Sequence, residues 1–79
     1  MGYHYLTQWS EADGVFVGQC YEFPSLRAHG DNHDSAREEI ESVVALAVED
    51  LRSEGEPVPP VSTDTETEIR RVLEARFVS

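Results

Sequence analysis

Between Tyr3 and Trp9 the side chains alternate along an aromatic-rich segment: Tyr3, Tyr5, Thr7 and Trp9 share one side, His4, Leu6 and Gln8 the other. That pattern predicts a β-strand over 3–9. Residues 10–14 are polar and end in Asp13-Gly14, a strong turn signal. An apolar run, 15–21, follows as a second strand, and the two should form an antiparallel hairpin. Residues 22–25 break the ladder, because Pro24 has no N–H to donate. A short third strand is expected over 26–29, ending at Gly30.

The period then changes. Ala36, Ile40, Val43, Val44, Ala47, Val48 and Leu51 fall at helical spacing, and the intervening residues are mostly charged. A helix is expected over about 33–54, with Gly55 at the C′ position and prolines following. The tail fits two templates. A helix would align Ile69, Val72, Leu73, Arg76 and Phe77; a strand would align Ile69, Arg71, Leu73, Ala75 and Phe77. Local propensity favours the helix, since the segment is rich in Glu, Arg, Leu and Ala and has no breaker.

Two or three antiparallel strands and one long helix make a two-layer α+β unit in a single domain, 1–79. One helix covers one face of a sheet. Both faces look apolar here: Tyr3, Tyr5, Trp9, Val15, Val17 and Tyr21 form one set, Leu6, Phe16, Gly18 and Cys20 the other. A second apolar face should not stay wet. A second chain, most simply an identical one, is therefore expected on that face or along a strand edge, with the first set as the candidate interface. The chain's size points the same way. A domain of 79 residues hides only about 60% of the surface of its unfolded chain, so its own core is thin.

Cys20 is the single cysteine, so no disulfide can form within the chain. With no secretory pattern at the start, this suggests a reducing, cytoplasmic setting. Leu6 stands where a myristoylation signal needs Ser or Thr, and no apolar run approaches the ~18 residues of a membrane span. Sixteen acidic residues against six basic ones give a net charge of −10. Such a body repels phosphate backbones, which disfavours direct nucleic-acid binding. A basic protein is the natural complement, because opposite potentials speed encounter.

The densest candidate chemistry is His29, Asp31, His33 and Asp34, a possible ligand set. Metal ligation needs converging side chains, yet no i, i+4 pair puts two of these on one helix face. A turn and a helix cap need less. Gly30 permits a positive φ, Asn32 can accept from an early helical N–H, and Asp34 suits the positive end of the helix dipole. Cys20 ends an apolar strand, where a cysteine is more often a small buried hydrophobe than a nucleophile. Glu38, Glu39 and Glu41 read as a solvated helix face. No P-loop or dinucleotide fingerprint is present. Tyr3, Tyr5 and Trp9 lack the interleaved basic residues of a base-stacking surface. No catalytic, metal or cofactor site is expected.

The order of these features resembles the HicB-like antitoxin family. Its Asp-Gly turn corresponds to Asp13-Gly14, and its Cys-Pro-containing segment to Cys20, Phe23, Pro24 and Leu26. The Gly-Asp pair before its helix corresponds to Gly30-Asp31, the helix to Ala36 and Ile40, and the closing loop to Gly55, Glu56 and Pro57. The resemblance covers roughly 3–60. Ser25 replaces the usual glycine after the proline, and Asn32 stands at the usual Thr cap. It makes Gly14, Pro24, Gly30, Asn32 and Ala36 the structural positions. It implies a partial RNase H-like fold, β-β-β-α-β, whose final strand over about 67–77 completes a four-stranded sheet. It also implies oligomers and a partner, a small basic mRNA-cleaving toxin of the HicA type that is masked stoichiometrically. RNase H-type catalysis is not implied, because the strands carry no carboxylates. After Pro60 the chain is too short for a helix-turn-helix and has no basic face, so operator binding is not expected. The competing reading is an orphan member of the fold that forms homo-oligomers and binds another protein or a small ligand.

Overall fold

A computed structural model describes residues 2–78. Three strands come first, β1 (Tyr5–Ser10), β2 (Val15–Cys20) and β3 (Phe23–Gly30). Two helices follow, α1 (His33–Ser53) and α2 (Glu66–Val78). The strands form one antiparallel sheet in the order β1-β2-β3. The class is mixed α+β, with a three-stranded sheet and one long helix as the periodicity predicts.

The β1–β2 hairpin closes through Gly14, whose φ of 67° is open to glycine at little cost. Its N–H donates to Ser10 O at 2.8 Å. The register sets Tyr5 opposite Cys20, Thr7 opposite Gly18 and Trp9 opposite Phe16. β3 is longer than expected, because Pro24 does not end it. Phe23 pairs with Cys20 and Arg27 with Gln19, so the intervening residues bulge outward and exposed Pro24 needs no ladder partner.

Helix α1 starts as its sequence predicts. The Ser35 N–H donates to Asn32 Oδ1 at 2.8 Å, and the Ser35 hydroxyl accepts from Asn32 N–H, which closes a capping box. Its stripe of Ala36, Ile40, Val44 and Val48 is fully buried. Ile40, Val44 and Val48 meet Tyr3, Cys20 and Phe23 in the main core, where the Tyr3 and Phe23 rings lie 5.3 Å apart. The helix can come this close because β2 and β3 carry glycine where it crosses. A Cβ on Gly18 would lie 2.7 Å from Ala36 O. A Cβ on Gly30 would collide with the Ser35 hydroxyl and the Ala36 nitrogen. Gly30 therefore serves through space, and the positive φ expected from its place in the turn is not adopted.

The expected fourth strand over 67–77 does not form; the segment is helix α2. Local interactions win there. Thr65 Oγ1 accepts from Glu68 N–H at 3.2 Å, which caps the start of the helix. Arg71 pairs with Glu68 and Arg70 with Glu74 along the exposed side. The buried side, Ile69 and Leu73, lies against the sheet face opposite α1. Cys20 points to α1, so its neighbour Gln19 points away, and Gln19 Nε2 donates to Leu73 O at 3.0 Å. Arg27, on the same face, donates to Arg76 O at 3.1 Å. The chain thus covers part of its own second face with a partial third layer. Burying Ile69 and Leu73 contributes about 1.5–3 kcal/mol each.

Candidate functional site

The histidine and aspartate cluster comes apart in three dimensions. His29 pairs with Val17 on the α2 side of the sheet. His33 opens α1 on the other side, where its Nδ1 meets Thr7 Oγ1 at 2.6 Å and its ring lies 4.5 Å from that of Phe16. Among the described residues no group of three His, Cys, Asp or Glu side chains is arranged to hold a metal ion. Cys20 is 1% exposed, and burial pushes its thiol up to about 11, which keeps it protonated and unreactive near neutral pH.

The six-residue candidate interface is not one surface. The register places Cys20, Gly18 and Phe16, not Val15 and Val17, beside Tyr5, Thr7 and Trp9. Tyr3 and Val17 are buried within the chain. Tyr5 is half-buried, with the Arg37 guanidinium 4.8 Å from its ring centre. Val15 is half-buried on the α2 side. Tyr21 sits in the turn after β2; its hydroxyl donates to Asp64 Oδ2 at 2.5 Å and Arg76 lies over its ring. Only Trp9 is largely exposed, at 47%. Its ring meets Phe16 edge-on at 5.1 Å and its Nε1–H donates to Glu11 at 2.7 Å.

Glu22 is the polar centre that the sequence did not announce. Its side chain is 4% exposed. Oε1 accepts from His4 N–H at 3.0 Å; Oε2 accepts from Ser62 N–H at 2.9 Å and lies 2.7 Å from His4 Nδ1. One carboxylate thereby ties the chain entering β1, the β2–β3 turn and the segment before α2. Burial alone would push its pKa up, but the donated hydrogen bonds outweigh that and hold it below the ordinary carboxylate value. Its partners are all within the chain, so its role is architectural.

Two of the open surfaces bear on binding a macromolecule. The first is the exposed side of α1. Six carboxylates (Asp34, Glu38, Glu39, Glu41, Glu49 and Asp50) share it with two guanidiniums (Arg37 and Arg52), and all eight are exposed. Leu46 lies among them, 67% exposed, with Ser42, Val43, Glu49 and Asp50 as its helical neighbours. Just beyond the helix, Glu54 and Glu56 extend the acidic field. The second is the outer edge of β1. A cleft of about 450 Å³ lies there between Arg37 of α1 and the first turns of α2, with Tyr3 to Leu6 along it. No helix among the described residues is long and apolar enough to cross a membrane. No family model, no curated protein and no solved structure matches this chain.

Proposed function

We propose that this protein is an antitoxin-like binding module that masks a small basic mRNA-cleaving toxin of the HicA type, and that it self-associates while doing so. The acidic face of α1 is the observation that carries this reading. Four of the six arginines are tied to carboxylates or carbonyls elsewhere: Arg27 and Arg76 bond backbone carbonyls, while Arg70 and Arg71 pair along α2. Little positive charge is left to offset the α1 face. A basic RNA-binding surface is its electrostatic complement, and Leu46 supplies an apolar anchor at the centre of a charged rim. The order of motifs resembling HicB-like antitoxins supports the same partner. Masking is stoichiometric: the toxin's basic face is occupied and mRNA is kept out. The chain itself performs no chemistry in this scheme, and a toxin acting on mRNA places both proteins in the cytoplasm.

The test uses a small basic protein encoded beside this gene, which the reading requires. Isothermal titration should give a stoichiometric complex that weakens steeply with added salt. Adding the acidic protein should stop mRNA cleavage at equivalence. Combined Leu46→Arg and Glu49→Arg substitutions, both on exposed positions, should weaken the complex at least tenfold with the fold intact. Cleavage that continues in the presence of excess acidic protein refutes the reading, as does the absence of any such neighbouring gene.

A further inference from the structure

Strand β1 has backbone bonds on one side only. Tyr21 N–H donates to His4 O at 2.8 Å, so these two residues form a bonded pair. Alternation then directs the bonds of Leu6, Gln8 and Ser10 toward β2, and the N–H and C=O of Tyr5, Thr7 and Trp9 away from the sheet. The other edge, β3, is blunted by Pro24 and a bulge. β1 has neither device, and no charged side chain stands among its six residues.

We propose that this edge pairs antiparallel with β1 of a second copy, about a two-fold axis through Thr7. Two three-stranded sheets then become one continuous six-stranded sheet. The inference rests on the self-association part of the reading above and not on the toxin. Its register follows from the strand's own order. With Thr7 opposite the partner subunit's Thr7, Tyr5 faces the partner subunit's Trp9, and Trp9 faces the partner subunit's Tyr5. All three outward-facing residues are then paired at once, through about six inter-strand hydrogen bonds. The two ends carry aromatic pairs, which are among the favoured cross-strand combinations. The exposed ring of Trp9 gains the cover that its own chain does not provide.

Charge selects the same edge. At net −10, two copies repel wherever their carboxylates meet. Residues 1–10 are the longest stretch of the sequence without Asp, Glu, Lys or Arg. The cleft flanking the edge offers Arg37 and Arg70 as well as Glu66, so carboxylates are not forced against carboxylates there. The pairing is isologous and closes on itself, leaving the blunted β3 strands as the outer edges.

Sedimentation equilibrium of the whole protein from micromolar to millimolar concentration tests this. The wild type should be a dimer over the upper part of that range. Thr7→Pro removes an outward N–H that β2 does not use, so the sheet's own bonds survive. It should remain monomeric throughout with a native circular dichroism spectrum. That substitution also removes the Thr7–His33 hydrogen bond, so Trp9→Ala provides a second reading and should raise the dimer dissociation constant at least tenfold. A wild type that stays monomeric at millimolar concentration overturns the proposal, even if it captures some other extended polypeptide at this edge. A folded Thr7→Pro that still dimerises overturns it as well, as does an unchanged dissociation constant in Trp9→Ala. Titrating the toxin onto these variants separates the two ideas, since Thr7 and Trp9 belong to β1 whereas the positions substituted to weaken toxin binding, Leu46 and Glu49, belong to α1. A monomer that still blocks cleavage leaves masking intact, and a dimer that fails to bind toxin leaves the edge pairing intact.

Discussion

Removing the Glu22 carboxylate should unfasten the domain at one point. In Glu22→Ala the His4 and Ser62 N–H groups lose the acceptor that now lies 3.0 and 2.9 Å away. A buried donor left without a partner costs about 1–3 kcal/mol. Both sites are partly reached by water, so the lower half of that range applies to each, and the pair amounts to about 3 kcal/mol. A domain of this size has a total stability of roughly 4–12 kcal/mol. The melting temperature should fall by roughly 12–24 °C. Glu22→Gln keeps the shape and one acceptor but turns an amide NH₂ toward another donor, and should cost about 1–2 kcal/mol. Urea unfolding followed by circular dichroism at 222 nm measures both. The pH dependence supplies an independent check. Glu22 titrates lower in the folded protein than its ordinary value of 4.5. Its contribution is therefore complete above that value and is lost as pH falls through the lower folded value. The stability gap between wild type and Glu22→Gln should narrow as pH drops below about 4.5. A gap under about 0.5 kcal/mol at pH 7, or one that widens on acidification, refutes the architectural role given to this carboxylate.

Two further substitutions probe the helices. Leu73→Ala should cost about 2–4 kcal/mol in the same unfolding assay, because Leu73 is 1% exposed beneath α2; a cost near zero would mean that α2 does not pack on the sheet. Gly30→Ala should destabilise by more than about 1 kcal/mol, since the added methyl meets Ser35 and Ala36, whereas a merely flexible glycine in extended backbone would tolerate or favour alanine.

Much of the fold was written in local sequence. Alternation located β1 and β2, Asp13-Gly14 their turn, and Asn32 the start of α1, each from residues within one or two turns of one another. The tail was partly legible too, because the segment has good helix formers. A resemblance to a four-stranded fold pointed to a strand instead, and local hydrogen bonds and ion pairs overrode it. The grouping of the six candidate residues on one face failed for a different reason. Side-chain alternation within each strand was right, but the faces of two strands are matched only by their register, and a one-residue slip exchanges them. The opposition of Tyr5 to Cys20 put Val15 and Val17 on the far side from Trp9.

The sequence by itself determined the α+β class, the acidic body and most of the element boundaries, since these depend on neighbours a few positions apart. Only the tertiary structure decided that α2 shelters part of the second face, that Glu22 joins residues as distant as His4 and Ser62, and that His29 and His33 part company across the sheet. Those outcomes depend on which distant segments pack together once the loops close, and no period along the chain encodes that choice.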